Sequence, residues 1–185
     1  MSNIWITSDP HFCHNKEFLY EPRNFNGIWE MNSAIVDLHN EMVEPNDEVY
    51  ILGDLILNDN EQGLKYVKQL NGNLHIAIGN HDTDNRIQLY NECHNIVEIE
   101  YAYRLKYKGY RFFLTHYPTL CGNWDDQDGL KGTVINLCGH THTKDPFVDW
   151  NKGAIFHCEL DTNYCMPWLL DDIIVKLKEK YEESN

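Results

Sequence analysis

Apolar positions in the first half of the chain fall into short runs of β-branched and aromatic residues at Ile4–Thr7, Val49–Leu52 and Leu74–Ile78. Each has the length and composition of a buried strand. Between the first two runs, Met31, Ala34, Ile35, Leu38 and Met42 recur at helical spacing and predict a helix over Met31–Val43. Between the second and third, Leu64, Val67 and Leu70 predict a helix over Glu61–Leu70. Asn58-Asp59-Asn60 offers its N-cap and Asn71-Gly72 a left-handed stop. A short helix follows over Thr83–Asn91. Strands alternating with helices predict parallel strands joined by right-handed crossovers.

Beyond residue 94 the pattern changes. Ile96–Ile99, Tyr103–Tyr107 and Tyr110–Thr115 are strands at close spacing, with Lys108-Gly109 as a hairpin turn. Val134–Cys138 and Ala154–Leu160 continue the strand pattern. A final helix covers Leu169–Tyr181, with Leu170, Ile173, Ile174, Leu177 and Tyr181 on one face. Asp171 and Asp172 lie at its start and Lys176, Lys178 and Lys180 near its end, as the helix dipole favours. The expected architecture is α/β in the wider α+β sense: two mixed sheets clad by helices, within one domain spanning residues 1–185.

Charge and cysteine content narrow the function classes. Fifteen Lys and Arg stand against 29 Asp and Glu, a formal net charge of −14. Such a balance argues against a protein that grips a long duplex through its phosphates. It leaves room for a phosphate-containing substrate wherever cations are bound locally. The six cysteines form no CxxC pair and no zinc-finger spacing. A chain of 185 residues builds its own core without disulfides. Ile4-Trp5-Ile6 runs straight into polar Thr7-Ser8-Asp9, a first strand rather than a signal peptide. No apolar run approaches the ~20 residues that span a bilayer. The expectation is a soluble cytoplasmic protein.

The chemistry lies just beyond the end of each strand. Ile4–Thr7 ends in Ser8-Asp9-Pro10-His11, Val49–Leu52 in Gly53-Asp54, and Leu74–Ile78 in Gly79-Asn80-His81-Asp82. Tyr110–Thr115 ends in His116, and Val134–Cys138 in Gly139-His140-Thr141-His142. In parallel units the carboxyl ends of the strands share one edge, where open α/β sheets bind ligands. Gly53, Gly79 and Gly139 allow the sharp turns that bring the next side chain inward. The donors are oxygen and imidazole, with no thiolate. That set suits Mn²⁺, the leading choice, or Fe, Zn²⁺, Ni²⁺ or Co²⁺, better than Ca²⁺. Asp9, His11, Asp54, Asn80, His116, His140 and His142 are too many for one ion. Two divalent ions about 3.5–4 Å apart, sharing a carboxylate, would use them all and clamp a phosphoryl group. Each fragment alone has a bland explanation, since Asp-x-His is commonplace and Gly-Asp after a strand is usually a turn. Five fragments in order, each at a strand end, would require five coincidences.

This series resembles the signature of the calcineurin-like metallophosphoesterases. Over nearly the whole chain it also resembles their compact bacterial and phage branch, through Ser8-Asp9-Pro10-His11-Phe12-x-His14 and Pro22-Arg23-x-Phe25. That branch typically has Gly where this chain has Cys13, a departure expected to crowd the mouth of the site. The resemblance implies a four-layer αββα sandwich. It implies that Asp9, His11 and His142 hold one metal, that Asn80, His116 and His140 hold the second, and that Asp54 bridges them. His81 would then face the substrate and aid the leaving group, with Asp82 orienting His81. The implied reaction is hydrolysis of a small phosphate ester, in-line and by a metal-activated hydroxide. A phosphodiester is favoured, and a nucleotide is one candidate substrate.

Two other functions compete. A non-catalytic scaffold on the same fold tends to lose the catalytic histidine, and this chain retains His81. A nuclease for short oligonucleotides is a better match to the acidic balance than one for long nucleic acid. Outside the motifs, Arg23 is a candidate phosphate clamp, His14 a further substrate contact, and Arg86 a weaker one. Tyr117 and Trp124 flank a loop beside the site, where an aromatic ring could stack on a base or cover a sheet edge. Trp5 and Trp29 read as core, His39, His75, His94 and His157 as structural, and Glu179–Asn185 as a frayed end.

Overall fold

The computed structural model describes residues 2–122 and 129–184. In chain order they form β1 (Ile4–Thr7), α1 (Glu17–Tyr20), α2 (Ile28–Met42), β2 (Glu48–Ile51), α3 (Asn60–Val67), β3 (Asn73–Ala77), α4 (Asp84–Tyr90) and β4 (Ile96–Glu100). There follow β5 (Ala102–Tyr107), β6 (Tyr110–Thr115), β7 (Val134–Cys138), β8 (Ile155–His157), a 3₁₀ turn (Leu160–Thr162), β9 (Trp168–Leu169) and α5 (Leu170–Glu183). Strands order as β4-β3-β2-β1-β9 in one sheet and β5-β6-β7-β8 in the other. Both sheets are mixed. β1 to β4 run parallel with β9 antiparallel to β1, whereas β6 to β8 run parallel with β5 antiparallel to β6.

Alternation along the strands divides the core in two. Trp5, Val49, Ile51, Leu74 and Ile76 point from the first sheet toward Met31, Ile35 and Val67 of α2 and α3. Ile6, Leu52 and Ala77 point the other way, into a second cluster with Phe112, Leu114, Ile135, Leu137 and Phe156 of the second sheet. Ile173, Ile174 and Leu177 of α5 close that inter-sheet cluster. The result is two mixed sheets flanked by helices. All three parallel units of the first sheet direct the carboxyl ends of their strands to one edge.

Local signals act where expected. The Asp59 carboxylate accepts the Gln62 amide at 3.0 Å as the α3 N-cap. Gly72 takes φ +95° in the connection to β3. Trp5 is buried and gives its indole N–H to Asp47 at 2.8 Å, but Trp29 is 57% exposed at the start of α2, so it is not core. His39 is buried with Nε2 2.9 Å from the Asn71 carbonyl. His75 stacks on Tyr50 and pairs with Glu48 and Glu98. The chain end does not fray before Glu183, to which α5 extends. The pattern gave no sign of α1, whose single buried residue is Leu19, or of two-residue β9, which forms only by docking on β1.

Candidate functional site

Five strand-end segments meet above the parallel edge. The backbone rungs continue past the strands, with Asp9 N–H bonded to Gly53 O at 3.2 Å and His11 N–H to Asp54 O at 3.1 Å. They hold the first two segments side by side. Asp9, His11, Asp54, His140 and His142 all take positive φ, between 50° and 81°. That left-handed backbone is rare for residues with a Cβ. Concentrated in one place it marks a site held in shape by its surroundings. Gly79 and Gly139 serve close approach rather than turning. A Cβ on Gly79 would strike the Asp54 carboxylate, and one on Gly139 would strike Ser8 Oγ and the Asp9 carboxylate.

The side chains converge. His11 Nε2 lies 3.5 Å from Asp9 Oδ1 and 3.6 Å from Asp54 Oδ2, and His142 Nε2 lies 3.1 Å from His11 Nε2. His116 Nε2 lies 3.6 Å from Asp54 Oδ2, 2.8 Å from Asn80 Oδ1 and 3.2 Å from His140 Nδ1. Asp54 Oδ2 therefore stands between His11 and His116. Asp9, His11, Asp54 and His116 are buried, whereas Asn80 and His140 are exposed and His142 half-buried, so the cluster opens to solvent on one side. His140 and His142 do not project to the same side of one strand. Both lie beyond β7, the first aimed at His116 and the second at His11.

The donor chemistry fits divalent cations. His116 Nδ1 is 2.8 Å from the Leu52 carbonyl, so that nitrogen carries the proton and Nε2 offers its lone pair inward. His142 Nδ1 is 3.1 Å from Asp161 Oδ2, which turns the Nε2 lone pair inward in the same way. Asp9 Oδ1 is buried without a hydrogen-bond partner, and such an oxygen is costly unless something positive meets it. Two groups of ligand atoms, from Asp9, His11 and His142 and from Asp9, Asp54 and His116, each lie within 4.8 Å of one another. Burial raises the Asp54 carboxyl against the pull of His116. Burial would likewise raise Asp9, but the surrounding imidazoles hold it well below the usual carboxylate range.

His81 stands apart from this set. Its side chain is 40% exposed, Nε2 lies 3.9 Å from Asp54 Oδ2, and its backbone N–H is fixed on Asp54 Oδ1 at 2.8 Å. Arg86 bonds the His81 carbonyl and Asn60 Oδ1, and so props the loop from behind. Asp82 does not orient the His81 ring. It is buried, and its carboxylate accepts from the amides of Asp54 and Gly79 (2.8 and 2.9 Å), the Leu55 amide (3.2 Å) and Tyr90 Oη (2.8 Å). With four donors satisfied, it ties two site loops together at the backbone.

Arg23 requires a second correction. Its side chain is 1% exposed and forked on Asp161, with Nε to Oδ1 at 3.1 Å and Nη2 to Oδ2 at 2.7 Å. Nη2 also meets the Asp9 carbonyl at 2.9 Å. Its donors are spent within the protein, so it is no clamp for a phosphate. His14 does lie beside the site, its ring 5.3 Å from His11 and 6.4 Å from His81. Burial, aided by those neighbouring rings, pushes it down to about 4. Cys13 does not crowd the mouth. It takes φ +69°, is buried, and receives the Asn32 amide on Sγ. Tyr117 is half exposed and packs edge-on against His116 and His140, while Trp124 lies outside the described residues.

Two supporting residues escaped the sequence. Asp161 links Arg23 to His142, and both partners pull it below the usual carboxylate range despite burial. Glu159, fully buried, accepts the Thr141 amide and hydroxyl at 3.0 Å between the two histidines, with His157 Nδ1 at 3.1 Å on the same oxygen. Asp149 meets the far side of His157 at 3.2 Å. The available signal was slight: acidic residues directly after the Ile155–His157 strand, on an edge already rich in strand-end ligands.

The architecture and the convergent Asp/His centre define a metal-dependent phosphoester hydrolase. The profile of the family described as calcineurin-like phosphoesterases matches residues 2–182, and the chain belongs to that family. It is 33% identical over 188 residues to the uncharacterized protein MJ1445 of Methanocaldococcus jannaschii, covering 97% of this chain and 93% of that one. It is 31% identical over 86 residues to the Gene 66 protein of Mycobacterium phage L5, covering 44% and 41%. Among solved structures, the protein of unknown function AQ665 from Aquifex aeolicus shares the fold with a TM-score of 0.71 at 21% identity, covering 94% and 98%. No helix among the described residues is long and apolar enough to cross a membrane.

Proposed function

We propose that the protein is a binuclear phosphodiesterase for small esters. The observation that carries this reading is the meeting of Asp9, His11, Asp54, His116 and His142 beyond the strand ends, with Asp9 Oδ1 unpartnered among them and Asn80 and His140 against His116. Asp9, His11 and His142 would hold one ion and Asn80, His116 and His140 the other, with Asp54 between them. Mn²⁺ is the leading choice for this donor set, with Fe, Zn²⁺, Ni²⁺ or Co²⁺ as alternatives. The ions would supply Lewis acidity toward the phosphoryl oxygens and acidify water at neutral pH. The rest falls to the protein. His116 and His142 keep one tautomer through Leu52 O and Asp161, so their lone pairs face inward without rearrangement. Asp82 and Arg86 hold the His81 loop, and the exposed His81 ring is free to stabilise charge on the departing oxygen and to give it a proton. The open side of the cluster leaves room for the second ester arm of a diester. All six cysteines are free, which suits a reducing cytoplasm.

The test is hydrolysis of bis-p-nitrophenyl phosphate against p-nitrophenyl phosphate by metal-stripped protein with and without Mn²⁺, beside an Asp54→Asn variant. Metal-dependent turnover that favours the diester and vanishes in the variant is expected. Preference for the monoester would overturn the diester assignment, and tight Mn²⁺ binding with no turnover of either ester would favour a scaffold.

A further inference from the structure

We infer that Phe18 forms a stacking subsite for a nucleobase, and that the substrate is a nucleoside phosphodiester of dinucleotide size. The inference rests on the phosphodiesterase reading and adds the chemistry of the ester arm. Phe18 is 71% exposed although it belongs to a firmly held segment. Its neighbour Leu19 is buried in the core at 3% exposure, and Leu19 N–H bonds to Lys16 O at 3.0 Å. The Asn58 side chain clasps the Cys13 carbonyl at 3.3 Å just upstream. The ring is thus held in water by a turn whose other face is fixed.

Its position relative to the site gives that exposure meaning. Phe18 meets His14 edge-on at 5.5 Å between centroids, and His14 in turn stands 5.3 Å from His11 and 6.4 Å from His81. Phe18 is therefore two ring contacts, through His14, from the candidate ligand His11 and from His81. A groove of about 520 Å³ opens along it, lined also by Asn15, Lys16, Glu17 and Tyr20. Asn15 supplies donors and an acceptor for a base edge, and Lys16 a cation for a neighbouring phosphate. Tyr117, half exposed, packs against a different pair of histidines, His116 and His140. An exposed aromatic ring thus stands near each histidine pair of the cluster, Phe18 through His14 and Tyr117 directly. Stacking is the contact that accepts any base without hydrogen-bond readout. It also lets a protein of net charge −14 hold a short single strand without a basic surface.

The test compares the thymidine dinucleotide TpT with its two analogues in which one or the other nucleoside lacks its base, using wild type, Phe18→Ala and Phe18→Trp in saturating Mn²⁺. Phe18→Ala is expected to raise the KM for TpT roughly tenfold with little change in kcat. It should leave unchanged the KM of the analogue that lacks the stacked base, and Phe18→Trp should restore the wild-type value. An equal loss on all three substrates, or no change on TpT, would overturn the subsite. Turnover of bis-p-nitrophenyl phosphate without turnover of TpT would overturn the nucleotide class while leaving the phosphodiesterase standing. Failure of both substrates would remove the reading beneath it. Unchanged urea midpoints in the variants show that the fold is intact.

Discussion

Replacing Asp161 by Ala should destabilise the protein strongly, although the residue itself is no candidate metal ligand. The substitution leaves the Arg23 guanidinium charged, with its side chain 1% exposed, and removes two of its acceptors at 3.1 and 2.7 Å. The carbonyls of Asp9 (2.9 Å) and Pro10 (3.5 Å) remain. Breaking a buried pair from one side costs about 3–5 kcal/mol, and the surviving carbonyls put this case near the lower end, about 3 kcal/mol. For a chain of this length that lowers Tm by roughly 6–12 °C. The assay is urea unfolding of metal-stripped protein, so that weakened metal binding does not enter. Removing both partners as Arg23→Leu with Asp161→Leu should recover most of the loss, because no unpaired charge is left behind. A loss below about 1 kcal/mol, the scale of an exposed pair, would refute the argument. So would a double variant as unstable as the sum of the singles. Asp161→Asn keeps an acceptor but not the charge behind His142, and should weaken Mn²⁺ binding about 10–100-fold in calorimetry.

Two further outcomes are expected from the structure. His81→Ala should bind Mn²⁺ as wild type does yet lose most turnover, and parallel loss of metal would show that His81 is itself a ligand. Burial pushes His39 down from 6.5 to about 4, so below pH 6.5 the unfolded chain binds a proton that the folded one refuses. Its contribution to stability is full above pH 6.5 and falls away toward pH 4, by up to about 3 kcal/mol. His39→Gln should flatten that part of the urea midpoint against pH, and identical slopes in the two proteins would exclude His39 as the cause.

Some of this was legible in the chain. A run such as Ile4–Thr7 or the stripe of Met31, Ile35 and Leu38 is set by period alone, and those elements formed where expected. The candidate ligands were legible because each lies just after a strand, and parallel strands carry their ends to one edge whatever the loops between them do. Roles decided by a partner distant in sequence were not. Arg23 and Asp161 are 138 residues apart, and nothing near either shows that the guanidinium is buried and already paired. The family resemblance implied Asp82 as the partner of His81, but folding brought four donors to its carboxylate. Trp29 carries a large aromatic ring and is left in water because it lies on the outer side of α2, while Ile28 and Met31 of the same turn enter the core. Period and composition act over a few residues and so determine elements and the order of the chemistry along them. Which side chains are desolvated, and against what, depends on contacts that exist only once both sheets are packed.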